Sequence, residues 1–191
     1  RVAAGLPVDS IASVASFFVS RVDTKVDGTL NCMVDRGGAR AEKAAQFLGQ
    51  AAIANARLAY HDFELIFGSE RFAALKAKGA RVQRPLWAST GTKNPAYRDV
   101  VYIEELVGKD TVNTVPPATL AAFLDHGVVR AGSLQEDLAG AYQSMARLEA
   151  LGISMADVTR ELEAEGVKSF AGAWKALMDA MDTSRKAVVG E

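Results

Sequence analysis

The chain has 191 residues, with 22 Lys plus Arg against 23 Asp plus Glu and a formal net charge of −1. Nucleic-acid binders normally carry a clear basic excess, so this balance argues against that class of function. The hydrophobic fraction of 49% argues against intrinsic disorder, and no apolar run approaches the roughly 20 residues that a membrane-spanning helix needs.

The first predicted element is a strand over residues 14–20, a run rich in β-branched and aromatic side chains. Its continuous apolar character is typical of a parallel sheet that is covered on both faces. Apolar residues then recur at helical spacing from Val22 to Met33, and Gly37-Gly38 is expected to end that helix. A long alanine-rich helix is predicted next, over about residues 41–67.

Two further strands are predicted in the middle of the chain. Ser69 is the expected cap of a short helix that precedes the first of them, residues 83–88. Pro85 favours an edge position or the start of a strand for this segment. After a polar loop at residues 89–95 and a short helical stretch, the third strand is predicted at residues 111–115, with a helix over residues 119–126 behind it.

The remainder is predicted to be helical. Ser133 begins a capping-box pattern that opens a helix to about Leu151, and Ser154 opens another. Gly166 is expected to separate that helix from a last one, over about residues 169–187. Because no repeat, low-complexity tract or linker is evident, we expect residues 1–191 to form a single part of one domain without an internal boundary.

Strands that alternate with helices indicate a parallel α/β architecture. Three such strands alone would leave an unpaired edge and a poorly covered face. The pattern therefore predicts either a sheet completed by another chain or a piece of a larger barrel, and the small number of strands favours a piece.

Polar groups at the end of the first strand form one candidate site. Side chains alternate between the two faces of a strand, so Ser16 and Phe18 share one face. Arg21 follows just beyond the end of the strand. A hydroxyl, an aromatic wall and a guanidinium suit an oxygen-rich anionic small molecule, and arginine can pair with a phosphate through two parallel hydrogen bonds. Only together with the loop described next does this segment suggest a phosphorylated substrate. The alternative is that Arg21 forms a surface ion pair with Asp23 or Asp27.

The polar loop after the second strand forms another candidate site. Ser89 begins it and Lys93 adds a positive charge, so the loop can bind a phosphate through backbone N–H groups and the ammonium. The spacing is not that of a nucleotide-binding loop, and an ordinary solvated loop is the alternative. Lys93 as a Schiff-base nucleophile is a weaker interpretation, because a polar loop would desolvate its amine only weakly.

Four segments together resemble transaldolase of the longer bacterial type. They are residues 13–24 (SVASFFVSRVDT), 54–60 (ANARLAY), 83–95 (QRPLWASTGTKNP) and 111–116 (TVNTVP), in the family's order and spacing. The resemblance runs over essentially the entire chain, up to the helix that carries Phe170 and Trp174.

The resemblance implies an incomplete (β/α)8 TIM-barrel type of α/β fold, in which this chain supplies the last three strand–helix units and the C-terminal helices. It also implies a transferase of the pentose phosphate pathway that uses no metal or organic cofactor. Such an enzyme moves a dihydroxyacetone unit from fructose 6-phosphate or sedoheptulose 7-phosphate to an acceptor such as erythrose 4-phosphate or glyceraldehyde 3-phosphate. A lysine forms a Schiff base with the ketose.

The family's lysine lies on its fourth strand, and no counterpart of that strand precedes Ser13 here. The resemblance therefore assigns no catalytic residue to this chain, and only the substrate-holding residues are carried over. Ser16 and Phe18 match the serine and aromatic residue that frame the active site, and Arg21 and Ser89 match residues at the sugar phosphate. Lys93 falls near a phosphate-binding arginine of the shorter transaldolases.

We expect sugar phosphates as the partners, with no nucleic acid and no membrane. The single cysteine, Cys32, indicates a reducing compartment and therefore a cytoplasmic location. The alternative function is a catalytically inactive module from a truncated barrel that binds sugar phosphates or takes part in an interaction. A stand-alone aldolase that uses Lys93 is a third hypothesis.

Overall fold

The computed structural model describes residues 1–189 of the chain. The chain divides into two compact units, Arg1–Ile153 and a second that begins at Ser154, and each is described by itself. The expectation of a single part without an internal boundary stays a prediction. Within the described residues, no helix is long and apolar enough to cross a membrane.

A three-stranded parallel sheet in the order β1-β2-β3 lies at the centre of the first unit. Its strands are β1 (Ser13–Phe18), β2 (Gln83–Ala88) and β3 (Val112–Asn113). β1 and β2 pair along their whole lengths, so that Phe18 lies opposite Ala88 and both strands end at the same level. The parallel architecture predicted from the sequence is confirmed, and so are the bounds of β2.

Of the two positions that Pro85 favoured, the edge is wrong, because β2 is the central strand of this sheet, and Pro85 is the third residue of the strand, close to its start. Pro85 is tolerated there because β3 is short and pairs only with residues that follow the proline, beginning at Leu86. Trp87, two residues after Pro85, is fully buried, and its ring centroid lies 5.5 Å from that of Phe17 on β1. These rings form part of the core beside the sheet.

The first unit also contains seven α-helices in the described residues. They are α1 (Val19–Asp35), α2 (Ala39–Ala45), α3 (Ala51–Phe67), α4 (Glu70–Lys76), α5 (Val101–Glu104), α6 (Pro117–His126) and α7 (Leu138–Ala150). α1 buries Val22, Val26 and Leu30 at steps of four, which is the apolar stripe expected of an amphipathic helix. The predicted cap of α4 is confirmed, since the Ser69 hydroxyl accepts the N–H of Phe72 at 3.3 Å.

The single alanine-rich helix predicted over residues 41–67 is wrong, because the structure divides it into α2 and α3. Gly49 lies in the break with φ of +71°, a left-handed conformation that an α-helix cannot contain. Its N–H donates to a carboxylate oxygen of Asp27 on α1, at 3.0 Å. The break is therefore fixed by a hydrogen bond to a residue that is distant in sequence.

The predicted start of α7 is also wrong. The Ser133 hydroxyl accepts the N–H of Val107 at 3.0 Å, so it cannot cap a helix, and residues Ser133–Gln135 form only a 3-10 turn. Asp137 caps α7 instead, through a bond from the N–H of Gly140 at 2.9 Å. A tertiary contact of the serine thus overrides its local capping pattern.

The second unit holds one helix, α8 (Met155–Val189). The predicted separation at Gly166 is wrong, because a glycine adopts helical dihedrals at a cost of only about 1 kcal/mol relative to alanine. No proline accompanies it to stop the chain. The Ser154 hydroxyl accepts the N–H of Asp157 at 3.2 Å, so the predicted start of this helix is confirmed.

Candidate functional site

The carboxyl ends of β1 and β2 bring two serines into contact. Ser20 follows β1 in the first turn of α1, and Ser89 follows β2 directly. Their hydroxyl oxygens are 2.8 Å apart, and the Ser20 N–H donates to the Ser89 carbonyl at 3.1 Å. Ser89 has φ of +57°, which turns the chain sharply away from the strand. In parallel α/β folds, this end of the sheet is where sites are built.

β1 is shorter than the predicted strand over residues 14–20, because the chain becomes helical at Val19. Ser16 and Phe18 lie on β1, and the alternation of side chains along a strand gives them a common face. Arg21 lies on α1 rather than just beyond a strand. Its guanidinium carbon is 4.3 Å from the centroid of the Phe18 ring, a cation–π contact that holds the arginine at the end of the sheet.

The surface ion pair that was considered for Arg21 is not formed. The carboxylates of Asp23 and Asp27 are occupied by tyrosine hydroxyls and backbone N–H groups instead. The N–H groups of a guanidinium that contacts a ring remain potential donors. The half-buried Arg21 is thus placed beside Phe18 by a contact within the chain.

Lys93 lies away from this cation–π pair. It is exposed and lines a cleft of about 350 Å³, together with Ser20, Asn94 and Tyr97. Neither Arg21 nor Phe18 lines that cleft. The structure therefore brings Phe18 and Arg21 together and joins Ser20 to Ser89, whereas Lys93 faces a neighbouring cleft that shares only Ser20 with this arrangement.

Two buried aspartates on α1 form the network that the sequence did not reveal. Asp23 accepts the hydroxyl of Tyr102 at 2.5 Å and the N–H of Ala52 at 2.8 Å. Asp27, one turn later, accepts the hydroxyl of Tyr97 at 2.8 Å and the N–H of Gly49 at 3.0 Å. Both carboxylates line the cleft that contains Lys93. They connect α1 to the start of α3 and to the segment that follows β2.

Burial determines the acidity of this network. It raises the pKa of Asp23 from 3.8 to about 6, although the hydrogen bonds from Tyr102 and Ala52 act in the opposite direction. Burial likewise raises the pKa of the Tyr97 and Tyr102 hydroxyls, and the adjacent carboxylates raise it further. Both tyrosines therefore stay protonated as donors at neutral pH.

The only sequence signal for this network was the spacing of the two acids. Residues four apart lie on one face of a helix. Asp23 directly follows the buried Val22, and Asp27 directly follows the buried Val26. A second anchor lies at the start of the loop, where the fully buried Thr90 donates to the side chain of Asn113 at 2.8 Å. The loop after β2 is thus attached at both ends.

Comparison with known proteins identifies the family. The model of the transaldolase/fructose-6-phosphate aldolase family matches residues 2–181. The chain belongs to this family. Membership implies a TIM-barrel type of fold, and the parallel sheet with its helices is consistent with an incomplete barrel of that type.

Curated relatives match nearly the whole chain. A transaldolase from Mycolicibacterium smegmatis is 48% identical over 187 residues, which are 96% of this chain and 49% of that protein. Transaldolase 1 from Streptomyces coelicolor is 48% identical over 191 residues, covering 99% of the chain and 49% of the relative. A transaldolase from Acidothermus cellulolyticus is 49% identical over 181 residues. The chain spans about half the length of these relatives.

Replacing Asp23 by Asn is expected to remove a pH dependence of stability. Because its pKa is raised in the folded state, the contribution of Asp23 to the free energy of unfolding is fully present below about pH 4 and is lost as the pH rises through about 6. A rise from 3.8 to about 6 corresponds to about 3 kcal/mol. Urea unfolding of wild type and Asp23→Asn across this pH range measures the difference.

The difference in free energy of unfolding, wild type minus variant, should fall between about pH 4 and about pH 7. Asp62→Asn is the control, since it neutralises an exposed carboxylate on α3. A difference that stays constant with pH for Asp23→Asn would contradict the assignment.

Replacing Tyr97 by Phe is expected to loosen the loop after β2. The ring is retained, but Asp27 loses its hydroxyl donor and the loop loses an anchor on α1. Amide hydrogen exchange of Ala96 and Tyr97, whose N–H groups donate to Asn94, should accelerate by about tenfold, which is the loss of a hydrogen bond of about 1.4 kcal/mol. Tyr142→Phe, which removes an exposed hydroxyl on α7, should leave these rates unchanged.

Proposed function

We propose that the chain is part of a transaldolase of the pentose phosphate pathway. This enzyme transfers a dihydroxyacetone unit between sugar phosphates through a lysine Schiff base, and the lysine lies outside the chain. The observation that carries the proposal is the match of relatives named transaldolase to 96% and 99% of the chain, with only 49% of each relative covered. About half of such an enzyme is therefore represented here.

The proposal places the chain at the last three strand–helix units of a (β/α)8 barrel. Its strands are parallel and adjacent in sequence order, as successive barrel strands are. Within residues 1–189, β1 and β3 each pair on one side only. A closed barrel would supply a neighbouring strand to each open edge.

The substrate-holding role assigned to the end of the sheet follows from its chemistry. Arg21 contacts the ring of Phe18, and its guanidinium would pair with a phosphate through two parallel hydrogen bonds. Ser16 and Ser89 would add hydroxyl groups for the oxygen-rich substrate, and Lys93 a further positive charge. Fructose 6-phosphate and sedoheptulose 7-phosphate are the proposed donors, and erythrose 4-phosphate and glyceraldehyde 3-phosphate the acceptors.

Lys93 is not the proposed nucleophile. An amine attacks a carbonyl in its neutral form, so a Schiff-base lysine needs burial or a neighbouring cation to lower its pKa. Lys93 is exposed at the rim of a cleft that two carboxylates line. Imine formation needs no metal or organic cofactor, and we propose that the reaction takes place in the cytoplasm.

A catalytically inactive module that binds sugar phosphates is the second candidate function. The residues assigned here favour it, because they would hold the substrate and not react with it. Both candidates share the phosphate-binding prediction below. They differ in one respect: a transaldolase also needs the half of the relatives' sequence that this chain does not match, whereas a binding module does not.

Borohydride trapping tests where the nucleophile lies. The 191-residue chain, incubated with fructose 6-phosphate and sodium borohydride, is expected to keep its mass, because no lysine of the chain forms the imine. The Mycolicibacterium smegmatis relative, treated in parallel, controls the trapping conditions. An adduct on Lys93 would show that the lysine assignment is wrong and would favour a stand-alone aldolase.

Arg21→Gln tests the phosphate-binding site. Loss of a charge-assisted pair should weaken the binding of fructose 6-phosphate by the chain at least about tenfold, as measured by calorimetry. The matched control is Arg84→Gln, which neutralises an exposed arginine near the amino end of β2. Equal affinities of the two variants, or no preference for fructose 6-phosphate over fructose, would contradict the role of Arg21.

A further inference from the structure

A second cleft, which shares no lining residue with the first, lies between α2 and α7. Its volume is about 660 Å³, and three basic side chains line it, Arg40 and Lys43 from α2 and Arg147 from α7. Phe47, which is buried, contributes an aromatic ring to the lining. The volume is within the range of about 300–1,000 Å³ that is typical of small-molecule sites.

No acidic residue lines this cleft. Arg40 donates to the carbonyl of Leu151 at 2.5 Å, and the guanidinium carbon of Arg147 is 5.8 Å from the centroid of the Phe47 ring. Glu42 and Glu149 lie on the same helices, but in the described part of the chain neither forms an ion pair with any of the three cations.

Helix dipoles account for only part of this charge. Lys43 and Arg147 lie in the last turns of α2 and α7, where cations are favourable, and Arg40 reaches the same end of α7. Each helix end carries about −0.5 of an elementary charge, so two ends offer about −1 against three cations. Roughly two positive charges along the exposed lining of the cleft are left without a counter-charge from the protein.

We propose that this cleft binds an organic phosphate dianion, at a site separate from the end of the sheet. The two oxygen-rich negative charges of a phosphate monoester match the uncompensated charge, and Arg147 and Arg40 supply planar donors for them. Phe47 gives the organic part of the ligand an apolar surface. None of the residues proposed to hold the sugar phosphate lines this cleft.

Phenyl phosphate and inorganic phosphate are the probes, titrated calorimetrically into the chain in an Arg21→Gln background so that the sugar-phosphate site does not contribute. Phenyl phosphate is expected to bind saturably and more tightly than inorganic phosphate, because its ring contacts Phe47. The additional substitutions Arg147→Gln and Lys43→Gln should each weaken binding about tenfold. Raising the salt concentration should weaken it as well.

Arg71→Gln and Lys76→Gln are the matched controls, because they remove exposed cations from α4 and Lys76 also lies in a last helical turn. All of these side chains are on the surface, and circular dichroism checks that each variant folds. The proposal is overturned if the affinity falls equally in the controls, or if phenyl phosphate does not bind saturably. Equal affinity for both probes would overturn the contact with Phe47.

Discussion

The arrangement of the first unit depends on two carboxylates that are kept out of water. Asp23 and Asp27 leave solvent when α1 packs, and a buried carboxylate is tolerated only when hydrogen bonds replace its hydration. Each finds one backbone N–H near the start of α3 and one tyrosine hydroxyl from the segment after β2. Satisfying these charges therefore fixes three parts of the chain at once.

Tertiary hydrogen bonds also explain two residues with a left-handed backbone, Gly49 and Ser89. Gly49 must be left-handed for its N–H to reach Asp27, and a Cβ there would lie 2.8 Å from the ring of Tyr97. Glycine at this position thus permits the left-handed backbone and leaves space for the ring of Tyr97. Ser89 is a non-glycine residue in the left-handed region, at a cost on the order of 1 kcal/mol. Its two contacts with Ser20 offset that cost and hold the end of β2 against the start of α1.

Local patterns predicted the elements whose causes are local. The bounds of β2 follow from its own composition, and the Ser69 cap of α4 involves a residue three positions away. The division between α2 and α3 could not be predicted in this way, because Asp27, which fixes it, lies 22 positions earlier. Ser133 illustrates the converse, since an ordinary capping pattern is cancelled by a bond to Val107.

The candidate site likewise contains contacts that are local in sequence and contacts that are not. Phe18 and Arg21 are three residues apart, so the chain itself brings them together, and a sequence pattern was sufficient to propose them. The hydrogen bond from Tyr102 to Asp23 joins residues 79 positions apart, and no local sequence pattern predicts it. A site residue recognised by its own chemistry is therefore visible in a sequence, whereas the residues that orient it become visible only in the fold.

The proposed division of an enzyme between this chain and the rest of its relatives' length has a physical basis. Every bond of the Asp23 and Asp27 network joins residues that lie between Asp23 and Tyr102, and the stack of Arg21 on Phe18 is equally internal. The placement of Arg21 and of the two aspartates therefore involves only residues between Phe18 and Tyr102. A reactive lysine differs in this respect, because its lowered pKa needs burial or a neighbouring cation. An open three-stranded sheet buries less than a closed barrel does, so the proposed function assigns the lysine to a closed barrel.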